Sequence, residues 1–185
     1  MKKRRQWRKL TVAMLFAIES ILLSCPVSAS PFGQGKFGAD VPFGSMTSIS
    51  INLGGNVALS LAPSGGNLSG NNSHVVTVTS TDVVGYYLYA HTTDGTAMTN
   101  ESASIPASSN SSDAPLSIGS WGYNTTGSTS DFLGMNASSV LLKDAAGPYK
   151  SGDPTTVTYG ALVSNTQAAG TYSIGVTYTA VAKNQ

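Results

Sequence analysis

From Thr171 to Ala182 the chain alternates. Tyr172, Ile174, Val176, Tyr178, Ala180 and Ala182 fall on one set of positions, and Thr171, Ser173, Gly175, Thr177 and Thr179 on the other. A period of two places successive side chains on opposite faces of an extended strand, so this stretch predicts a sheet with one buried and one wet face. Three residues follow Ala182, with no apolar span or anchoring tail after it in this sequence. The expected role of the segment is to complete a sheet, pairing with Thr155–Ser164 across the Asn165–Gly170 loop.

Similar short patterns recur upstream. Ile49, Ile51 and Leu53 alternate with polar residues, Gly54-Gly55 interrupts, and Val57, Leu59 and Leu61 resume, as two strands or one bent strand. Pro63 to Asn72 reads as a Gly/Asn/Ser loop. His74–Thr81 and Tyr86–His91, joined by Asp82-Val83-Val84-Gly85, look like a hairpin in which Tyr87 and Tyr89 face away from Tyr86 and Leu88. Thr96 to Pro115 is Ser/Ala/Asn/Thr-rich and reads as a long surface excursion. Strand signals return at Leu116–Tyr123 and at Thr155–Ser164, where Val157, Tyr159, Ala161 and Val163 share a face, and the apolar residues from Phe132 to Leu142 read as a short strand or a helical turn. About seven to eight short strands without an amphipathic helix predict an all-β, antiparallel, immunoglobulin-like sandwich over residues 47–185.

The first residues are of another kind. Six of the ten basic residues lie within the first nine positions, and an apolar run from Leu10 to Leu23 follows. The run carries Glu19 and falls short of the ~20 apolar residues of a membrane span, so residues 1–29 read as a cleaved signal peptide. Val27-Ser28-Ala29 offers one cleavage site. Leu22-Leu23-Ser24-Cys25 offers another, a partial lipobox in which Cys25 would be lipidated and the protein held at a membrane. Residues 30–46 form a Gly/Pro/Phe-rich arm in which Pro-Phe-Gly occurs twice. Its Gly33-Gln34-Gly35-Lys36-Phe37-Gly38 matches the dinucleotide fingerprint in letters only, since no strand precedes it and no helix follows.

Cys25 is the sole cysteine, so no intrachain disulfide is available and the exported domain must be held by its core. After residue 29 four lysines stand against eight acidic residues, a net charge of −4 with no basic cluster. That balance argues against a nucleic-acid partner.

Chemistry-bearing residues are sparse. His74 and His91 are the only imidazoles, no serine sits in a nucleophile elbow, and two histidines are too few for a three-ligand zinc site. Asp94, Asp113, Asp131 and Asp153 lie in oxygen-rich loops, but their spacing matches no calcium loop. The expectation is no catalytic residue, no metal and no cofactor. Aromatic residues are the better clue: Tyr87, Tyr89, Trp121 and Tyr123 form a candidate binding face, with core packing as the alternative for Trp121. Asn-x-Ser/Thr triplets at Asn67, Asn71, Asn100, Asn110, Asn124 and Asn136 follow from the composition.

Val76–Thr81 leading to Gly85-Tyr86, then Ser120-Trp121-Gly122-Tyr123, Thr156–Gly160, and Ala169–Tyr172 with Val176–Thr179 resemble secreted bacterial immunoglobulin-like surface proteins. The closing segment is similar to the end of WxL cell-wall-binding domains. Trp121-Gly122-Tyr123 departs from Trp-x-Leu, and Tyr178 stands where that family presents a second tryptophan. The resemblance implies a secreted or surface protein that is structural or adhesive, with cell-wall glycan or other surface proteins as partners. A pilus or fibre subunit assembling by strand addition through residues 30–46 is the first alternative, and a secreted glycan-binding or hydrolytic protein the second.

Overall fold

The computed structural model describes residues 47–183. The signal peptide, Cys25, the dinucleotide-like motif and the whole arm 30–46 lie outside them. Twelve strands are present among the described residues: β1 (Ser48–Leu53), β2 (Ala62–Ser64), β3 (Asn67–Thr81), β4 (Gly85–Thr92), β5 (Met98–Thr99), β6 (Ser104–Ile105), β7 (Ala114–Pro115), β8 (Ser120–Asn124), β9 (Asp131–Phe132), β10 (Val140–Ala146), β11 (Asp153–Ser164) and β12 (Val176–Lys183). They make an all-β structure in which every ladder is antiparallel.

Two sheets form the layers. One has the order β1-β3-β11-β8, with β2 also on β3, and the other is β10-β4-β12. Val76 and Val78 of β3 and Val157, Tyr159, Ala161 and Val163 of β11 point inward from the first sheet. Tyr86, Leu88 and Ala90 of β4 meet them from the second. Burying each of these larger apolar side chains contributes on the order of 1.5–3 kcal/mol, and the period-two pattern read from the sequence is the cause of the layering.

Two pairings differ from those the sequence suggests. β3 and β4 are not a hairpin, because both edges of β3 are already taken, by β1 and β2 on one side and β11 on the other. The chain instead arches from one sheet to the other through Asp82, which has φ 57°, and the buried Val83. An apolar residue in the connection was the signal: a solvent turn would not contain it. Likewise β12 pairs with β4 and not with β11, whose two edges are occupied by β3 and β8. The predicted alternation of the closing strand is present, with even positions half-buried and Thr177, Thr179 and Val181 exposed.

Two loops are more ordered than their composition indicates, and one expected strand is absent. Pro63–Asn72 contains a tight hairpin, since Ser64 pairs with Asn67 across Gly65 and Gly66, both at positive φ (58° and 85°). Two successive positive-φ residues define a type I′ turn, whose twist suits the flanking strands. The alternation at Val57, Leu59 and Leu61, read as a second or bent strand, forms no ladder: Gly54–Leu61 runs beside β3 with these three side chains packed against the core. Residues 96–115 fold over the edge of β8: Trp121 N donates to Pro106 O (3.1 Å) and Ser108 N to Trp121 O (2.7 Å).

A second, smaller core lies on the outer face of the first sheet. Gly122 and Gly160 are direct cross-strand partners, and a Cβ on Gly160 would come within 2.3 Å of the Phe132 ring. The missing side chains let Phe132 lie flat on the sheet, buried to 3% exposure. Gly160→Val is expected to cost about 1–3 kcal/mol through overpacking, measured by urea unfolding, and an unchanged midpoint would remove the seat assigned to Phe132.

Candidate functional site

The four candidate aromatics do not form one face. Trp121 and Tyr123 are on β8 of the first sheet, turned into the core, with Trp121 fully buried and Tyr123 5% exposed. Trp121 lies 6.3 Å from the Tyr159 ring, and its Nε1–H donates to Thr96 O at 3.0 Å. Burial, then the negative Asp113, raises the Tyr123 phenol above its ordinary range. They are structural residues, and their removal from the binding face follows from the edge of β8 being covered.

Tyr87 and Tyr89 occupy the outer face of the central strand β4, with ring centroids 6.1 Å apart and planes tilted by 44°. They are half-buried, as are rings lying along a sheet. Around them the β10 and β12 neighbours add Leu141 (50% exposed) and Val181 (46% exposed), which stand opposite Tyr89 and Tyr87 in the ladders. Lys183 places its Nζ 4.4 Å from the Tyr87 centroid, pairs with Asp144 and donates to Ala145 O at 3.1 Å. A cation over the ring face draws on the quadrupole of Tyr87 and fixes its orientation. The result is an aromatic and aliphatic surface with a charged pair at one end and Thr177, Thr179 and His91 at the other.

Two of the candidate loop aspartates, Asp153 and Asp131, are committed to structure. Asp153 accepts from Lys143 Nζ (2.7 Å) and from Tyr86 OH (2.7 Å). Burial, with the hydrogen bond and charge of Asp153, raises the Tyr86 phenol. Asp131 accepts from Ser130 Oγ at 2.8 Å, closing its own turn. Among the described residues no three His, Cys, Asp or Glu side chains converge as a metal site would require.

His74 is inside the sandwich, not at a wet edge. Its Nδ1 lies 2.9 Å from Gly55 O, which can only accept, so Nδ1 carries the proton. In the neutral ring Nε2 then accepts from Tyr178 OH (2.8 Å), and the Tyr178 oxygen accepts from Tyr159 OH (2.5 Å). The chain of donors runs Tyr159, Tyr178, His74, Gly55 and ties β11, β12 and β3 together. Burial pushes Tyr159 up to about 12 and raises Tyr178 as well.

Two asparagines that the sequence marks only as Asn-x-Ser/Thr triplets are loop latches. Asn124 is fully buried; its Nδ2 donates to Ser128 O (2.9 Å) and Asp131 O (2.8 Å), and its Oδ1 accepts from Gly127 N (3.0 Å). Asn110 Nδ2 reaches Ala114 O (2.9 Å) and Phe132 O (3.0 Å). A buried amide with all its capacity used is not an attachment point for sugar. Nothing in the composition separates these two from the exposed Asn71 and Asn136.

A shallow depression of about 170 Å³ lies between Ser69–Asn71, Leu116, Ser130 and Phe132. Pockets for drug-sized ligands run to about 300–1,000 Å³. The β4 face is therefore the candidate site.

No protein-family model matches the chain, and no curated protein matches it. Among solved structures it is similar to a chain of a chaperone–tip adhesin complex described in CFA/I fimbriae biogenesis, at 16% identity and a TM-score of 0.47. The match covers 74% of this chain and 42% of that one, so this chain spans less than half the length of its structural neighbour.

Proposed function

We propose that the protein is a non-enzymatic, extracellular or cell-surface β-sandwich of immunoglobulin-like type that binds through the outer face of β4. The observation that carries this reading is the pairing of Tyr87 and Tyr89 on a sheet face flanked by exposed Leu141 and Val181. Aromatic rings with polar tips pack on the apolar faces of sugar rings or on protein side chains while their hydroxyls find hydrogen bonds. Cell-wall glycan and other surface proteins are the partners of matching chemistry. Export through the segment 1–29, with or without lipidation at Cys25, supplies the location in this reading.

The double substitution Tyr87→Ala/Tyr89→Ala tests it. Two stacking contacts at about 0.5–1.5 kcal/mol each predict a loss of roughly ten-fold or more in affinity for cell-wall glycan, read on a glycan array or by whole-cell binding. The circular dichroism spectrum is expected to stay unchanged. Unaltered binding would discard the face, and turnover of the glycan would replace the binder with a hydrolase.

A second reading, a fibre subunit that adds strands between copies, draws support from the outermost strands: β1 and β12 each have a single ladder partner among the described residues. The arm 30–46, which that reading makes the donor, lies outside them.

A further inference from the structure

The edges of the sandwich are not equally protected. β8 is closed on its outer side by backbone bonds to Pro106, Ser108 and Leu133. β10 carries Lys143 and Asp144 and a register shift between Leu141 and Lys143. Charges and bulges are the devices by which a sheet edge refuses another strand. β2 is three residues long and contains Pro63. β1 and β12 have none of these devices: β1 reads Ser-Ile-Ser-Ile-Asn-Leu, and β12 is uncharged until its last residue, Lys183.

These two edges lie on the same side of the sandwich, where β1 and β12 approach each other across the sheets. The core thins there. Val76 and Val78 of β3, Tyr86, Leu88 and Ala90 of β4 and Val157 and Val163 of β11 are buried, whereas Ile49 and Ile51 of β1 and Val176, Tyr178 and Ala180 of β12 are only half-buried. Thr93 N donates to Gly175 O, so by antiparallel alternation the odd-numbered amides of β12 bond β4 and the even-numbered ones face the edge that has no ladder partner among the described residues.

We infer that this side is a self-association interface, in which β12 pairs antiparallel with β12 of a second copy and extends the three-stranded sheet across a two-fold axis. The face each side chain occupies is preserved only for registers that shift by two. The register centred on Thr179 sets Thr179 opposite Thr179, Tyr178 opposite Ala180, and Val176 opposite Ala182, so each large inner residue meets a small one. The same register sets Lys183 opposite Gly175, and Lys183 is already neutralised by Asp144. No like charges meet, which favours a second copy over a charged partner strand. A two-fold contact of this kind closes on itself and makes a dimer; it uses the backbone edge of β12, whereas the Tyr87 and Tyr89 rings stand on the central strand β4.

The test is sedimentation velocity on the exported chain, residues 30–185, over a concentration series. The expected species is a dimer. Thr179→Lys puts two ammoniums directly opposite each other and is expected to weaken the dimer at least ten-fold, as is Thr179→Glu, while an equimolar mixture of the two variants restores it. Tyr87→Ala/Tyr89→Ala is expected to remain dimeric, so failure of the binding face and failure of this interface are told apart. A monomer at every concentration, an unchanged dimer in the Lys variant, no rescue on mixing, or growth into open-ended polymers would each overturn the inference. A monomer whose β12 amides are nonetheless protected from hydrogen exchange would assign the edge to the chain's own remaining residues.

Discussion

Trp121→Ala is expected to lower the unfolding free energy by about 3–5 kcal/mol, the range for removing a buried aromatic ring from a core that relaxes only partly. A domain of this size has roughly 5–15 kcal/mol to lose, so the variant would sit near the limit of folding at 37 °C. The loss is not confined to packing against Tyr159, because the indole N–H also holds Thr96 O. Hydrogen exchange in residues 96–108 is therefore expected to rise more than in β3. Trp121→Phe separates the two contributions: it refills much of the cavity but leaves Thr96 O without its donor, at about 1 kcal/mol. Urea unfolding of both variants checks the prediction, and a Trp121→Ala midpoint within error of the parent would show that the ring does not organise the core.

Tyr178→Phe is expected to cost about 2–4 kcal/mol, although it removes a single oxygen. That oxygen accepts from Tyr159 and donates its proton to His74 Nε2, so the substitution leaves a buried donor on Tyr159 and a half-buried acceptor on His74 unpaired, the first at about 1–3 kcal/mol and the second at less. Tyr159→Phe removes only the terminal donor and is expected to cost less. The two substitutions are expected to be non-additive in a double-mutant cycle, since they act on one network. The same tyrosines set the alkaline limit. In the folded state burial raises Tyr159 from 10.0 to about 12, and raises Tyr178 and Tyr86 also. A folded-state pKa above the unfolded value means that the native state holds the proton more tightly. The associated stability is complete below about pH 10 and is lost as pH rises from there through about 12. Denaturant midpoints are expected to be flat from pH 7 to about 10 and to fall steeply above it, with a shallower fall in Tyr178→Phe. A midpoint that holds constant to pH 12 would contradict the buried phenol network.

Alternation made much of this fold legible. Val76 and Val78, Tyr86 and Leu88, and the series Val157, Tyr159, Ala161 and Val163 were readable as inward faces because a strand offers each residue only two directions. Pairing was not readable to the same degree. Adjacent strands with compatible patterns suggest hairpins, yet which edge is vacant depends on strands distant in sequence, and β3 and β11 had both edges filled. The binding face divided for a related reason. Tyr87 and Trp121 look alike as residues, and it is the register of β8 on β11, with Trp121 opposite the inward Ala161, together with the cover over its edge from 96–108, that puts Trp121 inside. The polar Asn72 and Ser73 that precede His74 on its strand hide that its own position is inward. The partner that fixes it, Tyr178, lies 104 residues away. Asn110 and Asn124 had no distinguishing pattern at all, since a latch is defined by the carbonyls around it.

The arch at Asp82 has a kinetic consequence. It sends two consecutive long strands to different sheets, so neither can form against its neighbour in sequence. The longest ladders join β3 to β11 and β4 to β12, and of the longer strands only β3 has a local partner, β2 across the Gly65-Gly66 turn. Most of the cross-strand order must then wait for distant parts of the chain to meet, and topologies of this kind reach the native state in roughly milliseconds to seconds. During that interval β3 and β4 display their valines and tyrosines unpaired, which places the greatest risk of misassembly in the nascent chain before β11 and β12 have arrived.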